Sequence, residues 1–143
     1  VRGEGGREQW ADIVQMFELD GSEFIQPGDI LVASEKGSSV LSRSSSAYSR
    51  AVIGVVAHNP VLVISGTAEL KAFPVVLAGR AMCNVDARSG PIRPGDLIVS
   101  SDTPGCGMAG RIDSFEKIGT VIGKALDGLE EGSGCLPIYI VHL

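Results

Sequence analysis

Long stretches of Leu, Ala, Glu and Lys are missing from this chain of 143 residues, and with them the usual material of extended helices. There is also no cluster of Lys or Arg. Twelve basic residues stand against 17 acidic ones, a net charge of -5, so the electrostatic footprint that nucleic-acid binding requires is lacking. No apolar run approaches the roughly 20 residues of a membrane-spanning helix. The cysteines Cys83, Cys106 and Cys135 are odd in number and widely scattered, without the paired spacing of a zinc site or a redox dithiol. They read as small buried hydrophobes. The first residues, Val1 to Arg7, contain neither an initiator Met nor a signal-peptide core, so the chain reads as a piece of a longer protein.

What is present points to strands. Nineteen glycines, seven prolines and abundant Val, Ile and Ser describe short strands joined by tight turns, which predicts an all-β fold, a compact barrel or sandwich. Residues 1–9 are polar and glycine-rich and read as a flexible arm or linker, leaving 10–143 as a single all-β domain. The strongest signal is duplication. The stretch from Ile25 through Pro27, Gly28 and Asp29 to Ser34 returns from Ile92 through Pro94, Gly95 and Asp96 to Ser101. A Gly-centred apolar run follows each copy, at Val52–Val56 and at Val121–Ala125. Pro27, Gly28 and Asp29, and likewise Pro94, Gly95 and Asp96, read as structural turns. Glycine supplies a positive φ and the aspartate carboxylate bonds the turn backbone.

Along the chain, Trp10 to Phe24 is ambiguous between helical and strand periodicity, with a short strand expected near Val14 to Glu18. Strands follow at 29–33, 40–41, 51–57 and 61–65, the last two joined through His58, Asn59 and Pro60. Two more, at 73–78 and 80–85, flank Gly79, which marks a bulge or a bend; the alternative is one long kinked strand. The second half adds strands near 97–101, 108–110, 121–126 and 136–143. Residues 35–51 carry seven serines and form a loop suited to mobility or partner contact.

The string from Gly90 to Gly105, with Val52–Val56 before it and Ile122–Leu126 after it, resembles β-rich terminal domains of phage-like fibre and appendage proteins. More distantly it is similar to the self-cleaving maturation domains of phage neck appendages, whose relatives act as intramolecular chaperones that trimerise a β-fibre. The resemblance spans about residues 10–143. It implies a virion or cell-surface setting and a homo-oligomer, with a trimer favoured. Those domains open with an acidic motif, Asp-Tyr-Ala-Glu-Tyr-Phe-Glu, and the nearest stretch here runs from Asp12 to Glu18. The outer acids Asp12 and Glu18 are kept. The middle acid is Gln15, and an amide cannot accept the proton that a carboxylate peptidase must remove.

Other chemistries find little support. His58 reads as a turn residue, and no metal and no cofactor are expected. No serine sits in a Gly-x-Ser-x-Gly elbow. Gly105 to Gly110 fits Gly-x-Gly-x-x-Gly, but its surroundings are turn-rich and β-like rather than strand-to-helix. The leading expectation is a structural, oligomerising module in which open strand edges are hidden by subunit pairing. One alternative is self-cleavage by Asp12 or Glu18. Another is a module for a saccharide or surface ligand, resting on loop 35–51 and Tyr48.

Overall fold

The computed structural model describes residues 12–58 and 72–143. The expected arm at 1–9 and the expected strand at 61–65 lie outside them. The described residues form nine strands: β1 (Ile13–Leu19), β2 (Ile30–Ala33), β3 (Val40–Arg43), β4 (Val52–Val56), β5 (Ala72–Asp86), β6 (Leu97–Ser100), β7 (Gly107–Ala109), β8 (Val121–Ala125) and β9 (Ser133–Ile140). Two single 3-10 turns, Ser22–Phe24 and Phe115–Lys117, are the helical elements among them. The fold is all-β. No helix among the described residues is long and apolar enough to cross a membrane.

The pairings close two rings that share one strand. β1 pairs with β3, β3 with β2, β2 with β4, β4 with the first half of β5, and that half returns to β1. The second half of β5 pairs with β7, β7 with β6, β6 with β8, β8 with β9, and β9 returns to β5. The registers repeat as well. Leu31 lies opposite Gly54, and the register slips between Leu31 and Val32; Ile98 lies opposite Gly123, and the slip falls between Ile98 and Val99. Leu19 meets Leu41 in a parallel pairing, as Val85 meets Gly107. The duplication is therefore longer than its Pro-Gly-Asp signature. It takes in β1 at one end, and β5 closes the first ring and opens the second.

The residue types explain the closure. On β9, Leu136, Ile138 and Ile140 point inward while Pro137 and Tyr139 point outward, the alternation of a half-buried strand. Gly54 and Gly123 sit where another strand's backbone comes too close for a side chain. A Cβ would stand 2.5 Å from the Val76 carbonyl oxygen in one ring and 2.3 Å from that of Tyr139 in the other. One large core crosses both rings: Ile30, Val52, Val55 and Val76 from the first meet Cys83, Val85, Ile98, Ile122 and Ile138 from the second. Each such side chain contributes about 1.5–3 kcal/mol when fully buried, so the rings share their main source of stability.

Several sequence expectations change. Of the two readings of 73–85, the single kinked strand holds: β5 runs on through Gly79 (φ 100°) and exchanges neighbours there, with β1 paired up to Ala78 and β9 from Gly79 on. The strand expected near Val14 to Glu18 is present as β1, held by antiparallel pairing with β5. Each described strand has neighbours on both sides, but not along its whole length: β1 meets β3 only at Glu18 and Leu19, and β9 meets β8 only across Tyr139 and the residues on either side of it.

Candidate functional site

The two acids singled out for self-cleavage are held apart. Asp12 precedes β1 and Glu18 lies near its far end, so an extended strand separates them by about 20 Å. Asp12 Oδ1 accepts the Arg80 backbone N–H at 3.0 Å, across from the bend at Gly79. Asp12 packs so closely beneath that bend that a Cβ on Gly79 would meet its carboxylate at 2.3 Å. Glu18 is exposed beside Ala72 and Val40. Within one chain these two carboxylates do not form an acid–base pair. Asp12 pins the junction between the rings.

The two Pro-Gly-Asp corners share one internal design. Each is a type II turn with Pro at the second position and Gly at the third, at φ 92° for Gly28 and 93° for Gly95. The Asp29 N–H donates to the Gln26 carbonyl (3.1 Å) and the Asp96 N–H to that of Arg93 (3.0 Å). Each aspartate Oδ2 accepts the amide at the start of its turn, Gln26 N–H at 3.0 Å and Arg93 N–H at 2.8 Å. The glycine N–H groups donate to Val56 and Ala125.

What surrounds the corners differs. Asn84, on the second half of β5, donates from Nδ2 to Asp29 Oδ1 (2.9 Å) and to the Pro27 carbonyl (3.1 Å). Its backbone N–H donates to the Gly28 carbonyl at 2.9 Å. Asp29 is left 5% exposed. A cleft of about 310 Å³ opens there, lined by Gln26, Asp29 and Arg43 of the first ring and by Asn84, Cys106 and Ser133 of the second. Arg43 Nη1 donates to the Phe24 carbonyl. Both Asp29 oxygens are engaged with this chain's own donors, so the cluster locks one ring to the other. Asn84 was not singled out from the sequence. Its one signal is a polar side chain inside the apolar run Ala81–Val85.

The serine-rich loop is also spent on the junction. Tyr48 N–H donates to the Ser100 carbonyl (3.1 Å), Ser49 N–H to Ser100 Oγ (2.9 Å), Ser100 Oγ to the Ser46 carbonyl (2.7 Å) and Ala47 N–H to Asp102 Oδ1 (3.0 Å). The Tyr48 hydroxyl accepts the Arg111 N–H, and Lys117 Nζ sits 4.2 Å from its ring centroid. Residues 46–49 thus form a tied strap across β6, and the part expected to be mobile is fastened. Beside it Asp86, almost fully buried, accepts the Thr103 hydroxyl at 2.6 Å and the Arg88 N–H at 2.7 Å. The Thr103 hydroxyl first and the Arg88 amide next hold its carboxyl below the usual range, against the opposing effect of burial.

All three thiols are free. Burial pushes Cys83 far above the ordinary thiol range, with smaller contributions from Cys135, Cys106 and Asp29. Cys106 is raised by burial and then by the Asp29 and Asp86 charges, and Cys135 by burial. None has the lowered pKa of a nucleophilic cysteine. Among the described residues no group of three or more His, Cys, Asp or Glu side chains is arranged to hold a metal ion.

Two adjoining clefts, of about 550 and 400 Å³, flank Asp12 and Arg80 at the bend of β5. Ile13, Leu126 and Tyr139 line the first, and His58, Met82 and Pro137 the second. Their walls are mainly aliphatic and aromatic. No protein-family model matches this chain, and no curated protein matches its sequence. The fold and its surfaces define an all-β double ring with a polar lock between the rings and an apolar outer face.

Proposed function

We propose that this chain is an assembly module, a β-rich oligomerisation domain of a fibre-like or surface protein. The observation that carries the reading is the set of large apolar side chains left on the outside of the two rings, among them Ile13 at 60% exposure and Phe115 at 87%. Large apolar side chains on a surface are hidden from water when subunits meet through them. The polar clusters favour the same reading, because Asp12, Asp29, Asp86 and Tyr48 all bond groups of their own chain. A trimer is the favoured number, by the resemblance to appendage domains. Multi-angle light scattering on the 143-residue chain from 1 to 100 μM tests it. A stable oligomer is expected, and a monomer throughout withdraws the reading.

A further inference from the structure

An aspartate followed by glycine is the dipeptide in which a side-chain carboxyl is least hindered from reacting with the next main-chain amide, because glycine brings no side chain against the closing ring. It occurs twice here, at Asp20-Gly21 and at Asp127-Gly128, each time after a leucine. The structure separates the two. We propose that Asp127-Gly128, and not Asp20-Gly21, is a site of spontaneous covalent modification, where the chain isomerises from an aspartyl to an isoaspartyl linkage through a cyclic imide.

The Gly128 N–H donates to Oδ1 of Asp127, its own predecessor, at 2.8 Å, and Asp127 is exposed to water. The side chain is thus folded over the peptide bond that follows it. When the amide gives up its proton, the electron pair left on nitrogen points along the former N–H direction, towards this carboxyl, which is the proximity that an intramolecular attack needs. A bond forms between the Gly128 nitrogen and the Asp127 side-chain carboxyl carbon, a carbon–oxygen bond of the carboxyl breaks, and the amide proton and the carboxyl OH leave as water. Water then reopens the five-membered imide. Opening at the side-chain carbonyl restores aspartate, and opening at the main-chain carbonyl leaves the chain running through the side-chain carbon. Nothing is oxidised or reduced, and the mass is unchanged. At the other copy the Asp20 carboxylate takes no bond from the Gly21 N–H; its Oδ1 lies 3.9 Å from Lys36 Nζ.

The place of the site in the fold gives the modification a consequence. The next residue, Leu129, forms an isolated bridge with Ile92: its N–H donates to the Ile92 carbonyl at 2.9 Å and its carbonyl accepts the Ile92 N–H at 2.8 Å. Ile92 is buried in the core that the rings share and leads into the second Pro-Gly-Asp corner. There is no slack beside it, since a Cβ on Gly128 would stand 2.9 Å from the Ile92 carbonyl oxygen. An isoaspartyl linkage adds one carbon to the main chain immediately before this bridge. Leu129 is then displaced along Ile92, and the entry to the second corner loosens.

Peptide mapping by chromatography and mass spectrometry tests the assignment on the full 143-residue chain, incubated at 37 °C both folded and in concentrated urea. An isoaspartyl peptide is recognised by its unchanged mass, shifted elution and resistance to a protease that cuts before aspartate. In the folded chain, position 127 is expected to isomerise roughly 5-fold or more faster than position 20. In urea, where the folded geometry is gone, the two rates should converge to within about 2-fold. Equal rates in the folded chain, no conversion at 127, or an excess at 127 that persists in urea would each overturn the proposal. The exposed substitution Asp127→Glu, whose ring would be one atom larger, should abolish the signal at this site alone. In the isomerised fraction the Ile92 and Leu129 amides should exchange their hydrogens faster than in the unmodified chain, and unchanged exchange at both would sink the structural consequence.

Discussion

The two Pro-Gly-Asp corners use the same turn, the same donors and the same carboxylate bond, yet one is a buried joint and the other a surface bend. A Cβ on Gly28 would meet Asn84 Oδ1 at 2.8 Å and His58 Cε1 at 2.9 Å, whereas one on Gly95 meets nothing within 4 Å. Asp29 is nearly buried and takes a bond from the other ring, while Asp96 is half-buried and serves only its own turn. Duplicated sequence thus produced duplicated local structure, and the docking of the rings made the copies unequal. A motif's role here depends on what covers it.

Of the matching positions in the two rings, Gly54 and Gly123 are the most sensitive to substitution. Each faces a neighbouring backbone carbonyl, so Gly54→Ala and Gly123→Ala should each cost ~3 kcal/mol or more, measured by urea unfolding. Equal losses would confirm that the rings are equivalent inside, and a tolerated substitution in one ring would show that they are not. Next come the corner acids. Asp29→Ala strips a buried joint of its acceptor and should cost ~2–3 kcal/mol, against ~1 kcal/mol for Asp96→Ala at the surface. Near-equal values in the same unfolding assay would deny the first corner its buried role.

A smaller effect separates Asp86 from Asp20, which hold matching places just beyond the parallel pairings of the two rings. Because the Asp86 carboxyl is held below its unfolded value, its stabilisation is fully present above the ordinary carboxylate range, at about pH 5. It is lost as the pH falls through the lower folded value. Asp86→Asn should therefore flatten the acid limb of a stability-versus-pH curve. Asp20→Asn should change stability by less than ~0.5 kcal/mol, since its nearest cation, Lys36, is 3.9 Å away at the surface. The mildest probe is thiol labelling by iodoacetamide at pH 8. Cys135 is exposed, Cys106 partly covered and Cys83 buried, so they should react in that order. Early reaction of Cys83 would mean that the second ring opens far more readily than its packing allows.

The strands were largely legible because each depends on local pattern: alternation at Leu136 to Ile140, and the glycine-centred runs at Val52–Val56 and Val121–Ala125. The bend at Gly79 was legible, but the sharing of β5 was not, since only long-range pairing on either side of Gly79 makes one strand serve both rings. The junction was hidden too. Asn84 lies 55 residues from Asp29 and Ser100 51 residues from Ser49, and no short-range pattern announces such pairs. For the same reason loop 35–51 looked free from its composition, and Asp12 looked chemical when its carboxylate is spent on a backbone amide.

By itself the sequence determined the all-β class, the repeat and the two turns, because glycine at positive φ, proline and side-chain alternation act within a few residues. Tertiary structure alone decided that the copies close into two rings on one strand, that the first corner is buried and the second is not, and that Tyr139 stays outside where Val76 goes in. Those outcomes depend on which apolar faces meet. Burial is a property of the whole surface removed from water, not of any residue in isolation.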